Sequence, residues 1–323
     1  MKTISSIIAT MSIVLLASCE KEIGLPLKSD GGRLYLECFP SNGHDTTYIS
    51  LAAALPATEY GASAELSNIS IDFKVNGVPA IPEFHSKTGD VYNYIVEVPL
   101  ETGDEVSVAA GADGYPSVTS VSYIPEGADI EMTREIYNYG TLRHRFTVHR
   151  EDNSGEKRYY GIVIIGERRM ETTYPDPEKE PETEISRITF KYKLYSPVQP
   201  SDAEVLDYET IVTCPVNGTD MVLFEDDGGK TPDMEVIVDI PYDRDKYWEI
   251  GPEKNVFRRT LYLVKMFSVT PQAYDYLNPK INESLLFAGL VPPFISYGNV
   301  DGGYGLNAGM GCISSGWMEN LVL

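Results

Sequence analysis

Cysteine is scarce in this chain. Cys19, Cys38, Cys214 and Cys312 are the four in 323 residues, too few and too scattered for a disulfide framework, and no spacing among them matches a zinc site. Basic residues are also short, with 26 Lys and Arg against 48 Asp and Glu and a formal net charge of -22. A surface so acidic repels phosphate backbones, and no basic patch with interleaved aromatics offsets it, which excludes nucleic acid as a partner. Histidines number four. His144 and His149 in "RHRFTVHR" stand five positions apart, on opposite faces of a strand, and so share no metal. His44 and His85 fall in loop-like stretches and read as surface residues. Past residue 18 no apolar run approaches the roughly 20 residues that a spanning helix needs. Helical signals are sparse too. The best is "TPQAYDYL", with Thr270 as N-cap, Pro271 in the first turn and a stop before Asn278-Pro279.

What is present begins at the N-terminus. Lys2 supplies a positive n-region and Ile4 to Leu16 an apolar h-region, the pattern of a signal peptide over residues 1–18. Leu16-Ala17-Ser18-Cys19 fits a lipobox, in which small residues admit a peptidase and the Cys19 thiol receives a diacylglycerol. Acylation of the freed amine, palmitate being a typical chain, adds a second or third anchor, each chain contributing about 0.8 kcal/mol per buried CH₂. Glu20-Lys21-Glu22 opens a tether over 19–29. Loss of Lys2 takes the charge from -22 to -23. Lipidation of Cys19 leaves three cysteines, enough for one disulfide and an odd thiol. Cys38 in "LYLECF" shares a strand face with Leu34 and Leu36, as a buried free thiol would.

The remaining 305 residues carry period-two alternation almost throughout. "ISIDFKV" sets Ile69, Ile71, Phe73 and Val75 on one face, and Asn76-Gly77 follows as a hairpin turn. "VYNYIVEV" aligns Tyr92, Tyr94, Val96 and Val98. Short strands with turns every ten or so residues predict an Ig-like β-sandwich over 30–125, closed by Ile124-Pro125-Glu126-Gly127. "YYGIVIIG", "RITFKYKLY" and "RRTLYLVKMFSV" predict a second, larger β-sandwich over 126–323, with Ile188, Phe190, Tyr192 and Leu194 facing inward. Between them, "ETTYPDPEKEPETE" reads as a surface loop. The expected fold is all-β: two β-sandwich domains with one or two short helices near the C-terminus.

Chemical motifs are thin. Gly303-x-Gly305-x-x-Ala308 matches a dinucleotide fingerprint formally, but no βαβ unit surrounds it, and the glycines read as a tight bulged turn. "GCISSG", with Cys312, Ser314 and Ser315, lacks the strand-turn-helix context of a nucleophile elbow. Glu225, Asp226 and Asp227 before Gly228 form a run able to cup calcium, although the same residues make an acidic hairpin turn and fit no EF-hand spacing. Phe294 and Tyr297 in "LVPPFISYGNV", with Tyr304 and Trp317 behind them, are candidates for an exposed aromatic surface that would hold a small molecule, glycan, peptide or partner protein. The other reading is that these rings close the second sandwich. No cofactor or catalytic residue is indicated, and the expectation is a protein that is not an enzyme.

The lipobox, a first sandwich closing with "GADGYPSVTSVSYIP", "LFEDDGG", "TPQAYDYLN" and the final "YGNVDGGYGLNAG" follow one another in a fixed order. In that order the chain resembles a family of Bacteroidota outer-membrane lipoproteins of uncharacterised function, commonly encoded beside TonB-dependent receptors. The acidic-Lys-acidic run after Cys19 likewise resembles the surface-export signal of such lipoproteins. The resemblance implies a lipid-anchored outer-membrane protein facing the cell exterior, accessory to nutrient uptake, with a TonB-dependent receptor barrel as partner. A fimbrillin-like subunit is the alternative, with Arg33 as its cleavage site. A surface hydrolase has no motif to support it.

Overall fold

The computed structural model describes residues 32–54, 65–137, 141–149, 155–174, 182–191, 210–226, 228, 233–241, 246–249, 254–278 and 298–319. Among them the chain is predominantly β-stranded, with one short helix near the C-terminus, in the β-sandwich manner expected. One sheet has the order β18 (Tyr304–Asn307), β1 (Arg33–Cys38), β2 (Thr46–Ala54), β6 (Val91–Glu97), β5 (Glu83–Thr88). A second has β4 (Val78–Ala80), β3 (Ser70–Val75), β7 (Glu105–Gly111) and β8 (Val118–Tyr123). Leu34, Leu36, Cys38, Ile49 and Leu51 from the first sheet meet Phe73, Val106, Val108 and Val118 from the second in one buried core. Alternation in "RLYLEC" produces this directly, since every second side chain of β1 points into that core. Asn76 and Gly77 turn the β3–β4 hairpin with φ of 51° and 78°, the two positive angles of a type I′ turn.

Three strands, β15 (Asp233–Pro241), β10 (Thr141–His149) and β9 (Asp129–Tyr137), make a separate sheet. The largest sheet runs β13 (Thr210–Thr213), β14 (Asp220–Glu225), β11 (Tyr159–Tyr174), β17 (Asn255–Val269) and β16 (Lys246–Glu249). There β12 (Glu182–Lys191) also pairs with β11, and β19 (Met310–Glu319) with β17. Val163, Met221, Leu223 and Phe267 form its core together with Tyr274 of the helix α1 (Pro271–Leu277). Thr270 caps α1 as expected, its hydroxyl accepting the Ala273 N–H at 3.2 Å.

Four local expectations change. Strands β11 and β12 reach into the acidic stretch expected to be loop, ending at Tyr174 and resuming at Glu182; backbone pairing carries them where no apolar face does. Ile188 is 52% exposed instead of inward, because β12 lies beyond the apolar half of β11 and residues 183–188 face solvent on both sides. Residues 304–307 form a strand, not a turn. His85 is at the surface but within a strand, β5.

Candidate functional site

The residues with the most unusual surroundings lie where the C-terminal segment returns to the first sheet. β18 runs parallel to β1, with Leu36 opposite Gly305 and Cys38 opposite Asn307. A Cβ at Gly303 would collide with the carbonyl of Leu34, at Gly305 with that of Leu36, at Gly309 with that of Tyr123 and at Gly311 with that of Pro125. Four glycines thus let one segment press against the backbones of β1 and of the end of β8. Its intervening side chains divide between two interiors. Leu306, Ala308 and Met310 enter the core of the largest sheet, alongside Phe39. Asn307 turns the other way and is fully buried; its amide donates to Val106 O at 3.1 Å, and Ser122 Oγ donates to its Oδ1 at 2.9 Å. Asn299 clasps the same strand, accepting Asn307 N–H at 2.8 Å and donating to Asn307 O at 2.7 Å.

The outer side of β1 meets α1. Tyr35 and Tyr276 share a phenol-phenol hydrogen bond, and Tyr276 Oη donates to Glu37 Oε1 at 3.3 Å. The rings of Phe39 and Tyr276 lie 6.1 Å apart. Burial pushes the Glu37 carboxyl above its ordinary range, against the opposing effect of the two phenols. Burial, with the Glu37 charge beside it, pushes Tyr35 up to about 12 and Tyr276 higher still. The two phenols stay protonated and, with Glu37, fasten α1 to β1; nothing in their geometry prepares a nucleophile.

Sequence-derived candidates are dispersed. Leu16, Ala17, Ser18, Cys19, Glu20, Lys21, Glu22, Phe294, Tyr297 and Asp227 lie outside the described residues. Tyr304 is partly exposed on β18, with the Arg33 guanidinium 5.7 Å from its ring centre. Trp317 is exposed on β19, opposite Leu263 of β17, in a different sheet from Tyr304. Glu225 pairs with Lys157. Asp226 Oδ1 accepts N–H bonds from Arg158 at 2.8 Å and Gly228 at 3.0 Å, the work of a turn-closing carboxylate. Among the described residues no three His, Cys, Asp or Glu come together to hold a metal. Ser315 Oγ accepts the Val264 N–H at 3.1 Å where β17 and β19 slip register, so this hydroxyl fills a bulge. Cys38, Cys214 and Cys312 are in no disulfide, and the first two are buried.

Tyr35, Glu37, Tyr276, Asn299 and Asn307 carried no sequence signal of their own. The available clue was the glycine spacing at 303, 305, 309 and 311, which marks a strand flattened against another backbone.

These features define an all-β, multi-sheet protein of sandwich type, knitted together by its C-terminal segment. Residues 20–311 match the model of a family described as a domain of unknown function, DUF4249, and the chain belongs to that family. No curated protein matches it. Among solved structures it is similar to the Yersinia pseudotuberculosis adhesin InvE at 10% identity and a TM-score of 0.20, over 73% of this chain and 55% of the adhesin's. That overlap spans little more than half of the adhesin's length.

Proposed function

We propose that the protein is a non-catalytic binding module, tethered to the outer membrane through acylated Cys19, that docks beside a TonB-dependent transporter at the cell exterior. The observation that carries this reading is the way β1 is held. Arg33 begins β1 only fourteen positions after Cys19, and β1 is paired on both edges, by β2 and β18. Its outer side is fastened to α1. A tether at Cys19 therefore positions both cores, not the first sandwich alone. Confinement to one plane raises the effective concentration of a membrane partner, so that weak contacts suffice. In gentle detergent extracts the protein is expected to co-purify with an outer-membrane barrel; a free monomer with no membrane partner would sink the reading.

A fimbrillin-like or adhesive subunit is the second reading. Its support is β12, which among the described residues pairs only with β11 and carries Ile185 and Ile188 at 54% and 52% exposure, a surface of the kind that recruits another chain. Strand replacement after cleavage at Arg33 fits less well, because Tyr35–Cys38 would remain paired on both sides. N-terminal sequencing of surface material separates the two: a start at Leu34 favours the fimbrial subunit, an acylated Cys19 the docking module.

A further inference from the structure

Among the described residues, α1 meets the outer face of the first sheet at β1, through Tyr35 and Glu37. The half formed by β2, β6 and β5 carries a hydrogen-bonded row that runs straight across three strands. Ser50 Oγ donates to Asn93 Oδ1 at 2.9 Å, and Asn93 Nδ2 donates to Ser86 Oγ at 3.3 Å. Glu37, at the foot of α1, lies opposite Ser50 on β1, so the row starts beside the helix contact. Two residues along β2 is Tyr48, 40% exposed. Between Phe84 and Ser86 the register of β5 slips, leaving His85 as the extra residue of a bulge, and its ring meets Tyr48 at 6.1 Å and 78°. Bulges re-aim side chains in this way.

We propose that this half of the sheet is a binding platform for a neutral carbohydrate, with Tyr48 and His85 as the ring contact and Ser50, Asn93 and Ser86 as the hydroxyl-binding row. A pyranose has an apolar C–H face and a rim of hydroxyls, and the platform offers the complement of each. An aromatic pair supplies area with few rotors to freeze. The amide and two hydroxyls are already oriented by one another, which lowers the ordering cost of binding. The row contains no cation, so a carboxylated or sulfated polymer finds no counter-charge there. An extended peptide would add along the edge of a strand, whereas Ser50, Asn93 and Ser86 lie side by side on the face.

The inference rests on the binding reading but not on its membrane partner. The test is affinity electrophoresis of the full chain in native gels containing a mixed-linkage β-glucan, a galactomannan, an arabinan, an α-glucan or polygalacturonate. At least one neutral polymer is expected to retard the protein. Tyr48→Ala and Asn93→Ala should weaken retardation at least tenfold with unchanged Tm, and Tyr48→Phe should retain it. Retardation by no neutral polymer, by polygalacturonate alone, or undiminished in Tyr48→Ala would overturn the proposal. If Tyr48→Ala fails to fold, Asn93→Ala and Ser86→Ala decide instead. Co-purification of Tyr48→Ala with a barrel would show that losing the sugar site leaves docking intact.

Discussion

Tyr276 donates a hydrogen bond to Glu37 across 239 positions of sequence, joining the helix of one core to the first strand of the other. The carboxyl it reaches is largely buried, and burial raises its pKa. A raised carboxyl favours the protonated form in the fold, so its contribution to stability is complete below the unfolded value, near 4.3, and is lost as pH climbs through the folded value. Glu37→Gln keeps a neutral acceptor for Tyr276 at every pH. Thermal melts of the two proteins are expected to converge near pH 4 and to separate at neutral and alkaline pH, with the Gln variant the more stable. A parallel pair of curves from pH 4 to 9 would show that Glu37 does not titrate in this window.

The glycine segment makes a sharper claim. Gly305 has φ +112° and its Cα faces the Leu36 carbonyl, whereas Gly77 has φ +78° and open space around it. Gly77→Ala meets only backbone strain, about 1 kcal/mol. Gly305→Ala meets strain and a backbone clash together, roughly 3 kcal/mol or more. Urea unfolding of the two variants should rank them in that order.

Asn307 should be similarly intolerant for another reason. It is buried completely, and removing its side chain leaves the Val106 carbonyl and the Ser122 hydroxyl without these bonds. Asn307→Ala is expected to cost about 1–3 kcal/mol in chemical denaturation. The double variant with Ser122→Ala should cost less than the sum of the two singles, because they share one interaction.

Which of these features a reader of the sequence could find depends on how far the cause lies from the effect. The alternation of "RLYLEC", the Asn76-Gly77 turn and the Thr270 cap are decided by residues within a few positions of one another, and each formed as expected. The clasp of β18 on β1 joins Tyr35 to Tyr304. Its glycines erase the alternation that would have announced a strand, since a residue without a side chain contributes no face. Ile188 misled for the opposite reason. Its pattern is that of a core strand, but β12 sits beyond the apolar half of its neighbour, where a correct period finds nothing to bury against. The hydroxyl row on β2, β6 and β5 was hidden because Ser and Asn in strands carry no pattern until register aligns them.

The exposed arm therefore tolerates change. Ile188→Lys is expected to alter stability by less than about 0.5 kcal/mol, as surface substitutions do. Ile162→Ala, at a fully buried position of the same sheet, should cost about 2–5 kcal/mol. Equal losses from both, measured by thermal unfolding, would mean that Ile188 is covered in solution.

Thiol chemistry can examine the anchor and the fold in one experiment. Cys38 is wholly buried, and burial with the adjacent Glu37 charge drives its thiol far above the ordinary range. Cys214 is buried as well. Cys312 is partly accessible, yet burial still pushes it up to about 11. Since the thiolate is the reactive form, none of the three should react quickly with a disulfide reagent at pH 7.5 in the native protein, and Cys312 should go first. Denaturation exposes every remaining thiol. A chain acylated at Cys19 has that sulfur tied up as a thioether and should then titrate three thiols. A chain with Cys19 intact and unmodified should titrate four. Four thiols in protein recovered from membranes, with Cys19 still present by mass, would remove the anchor on which the docking proposal stands.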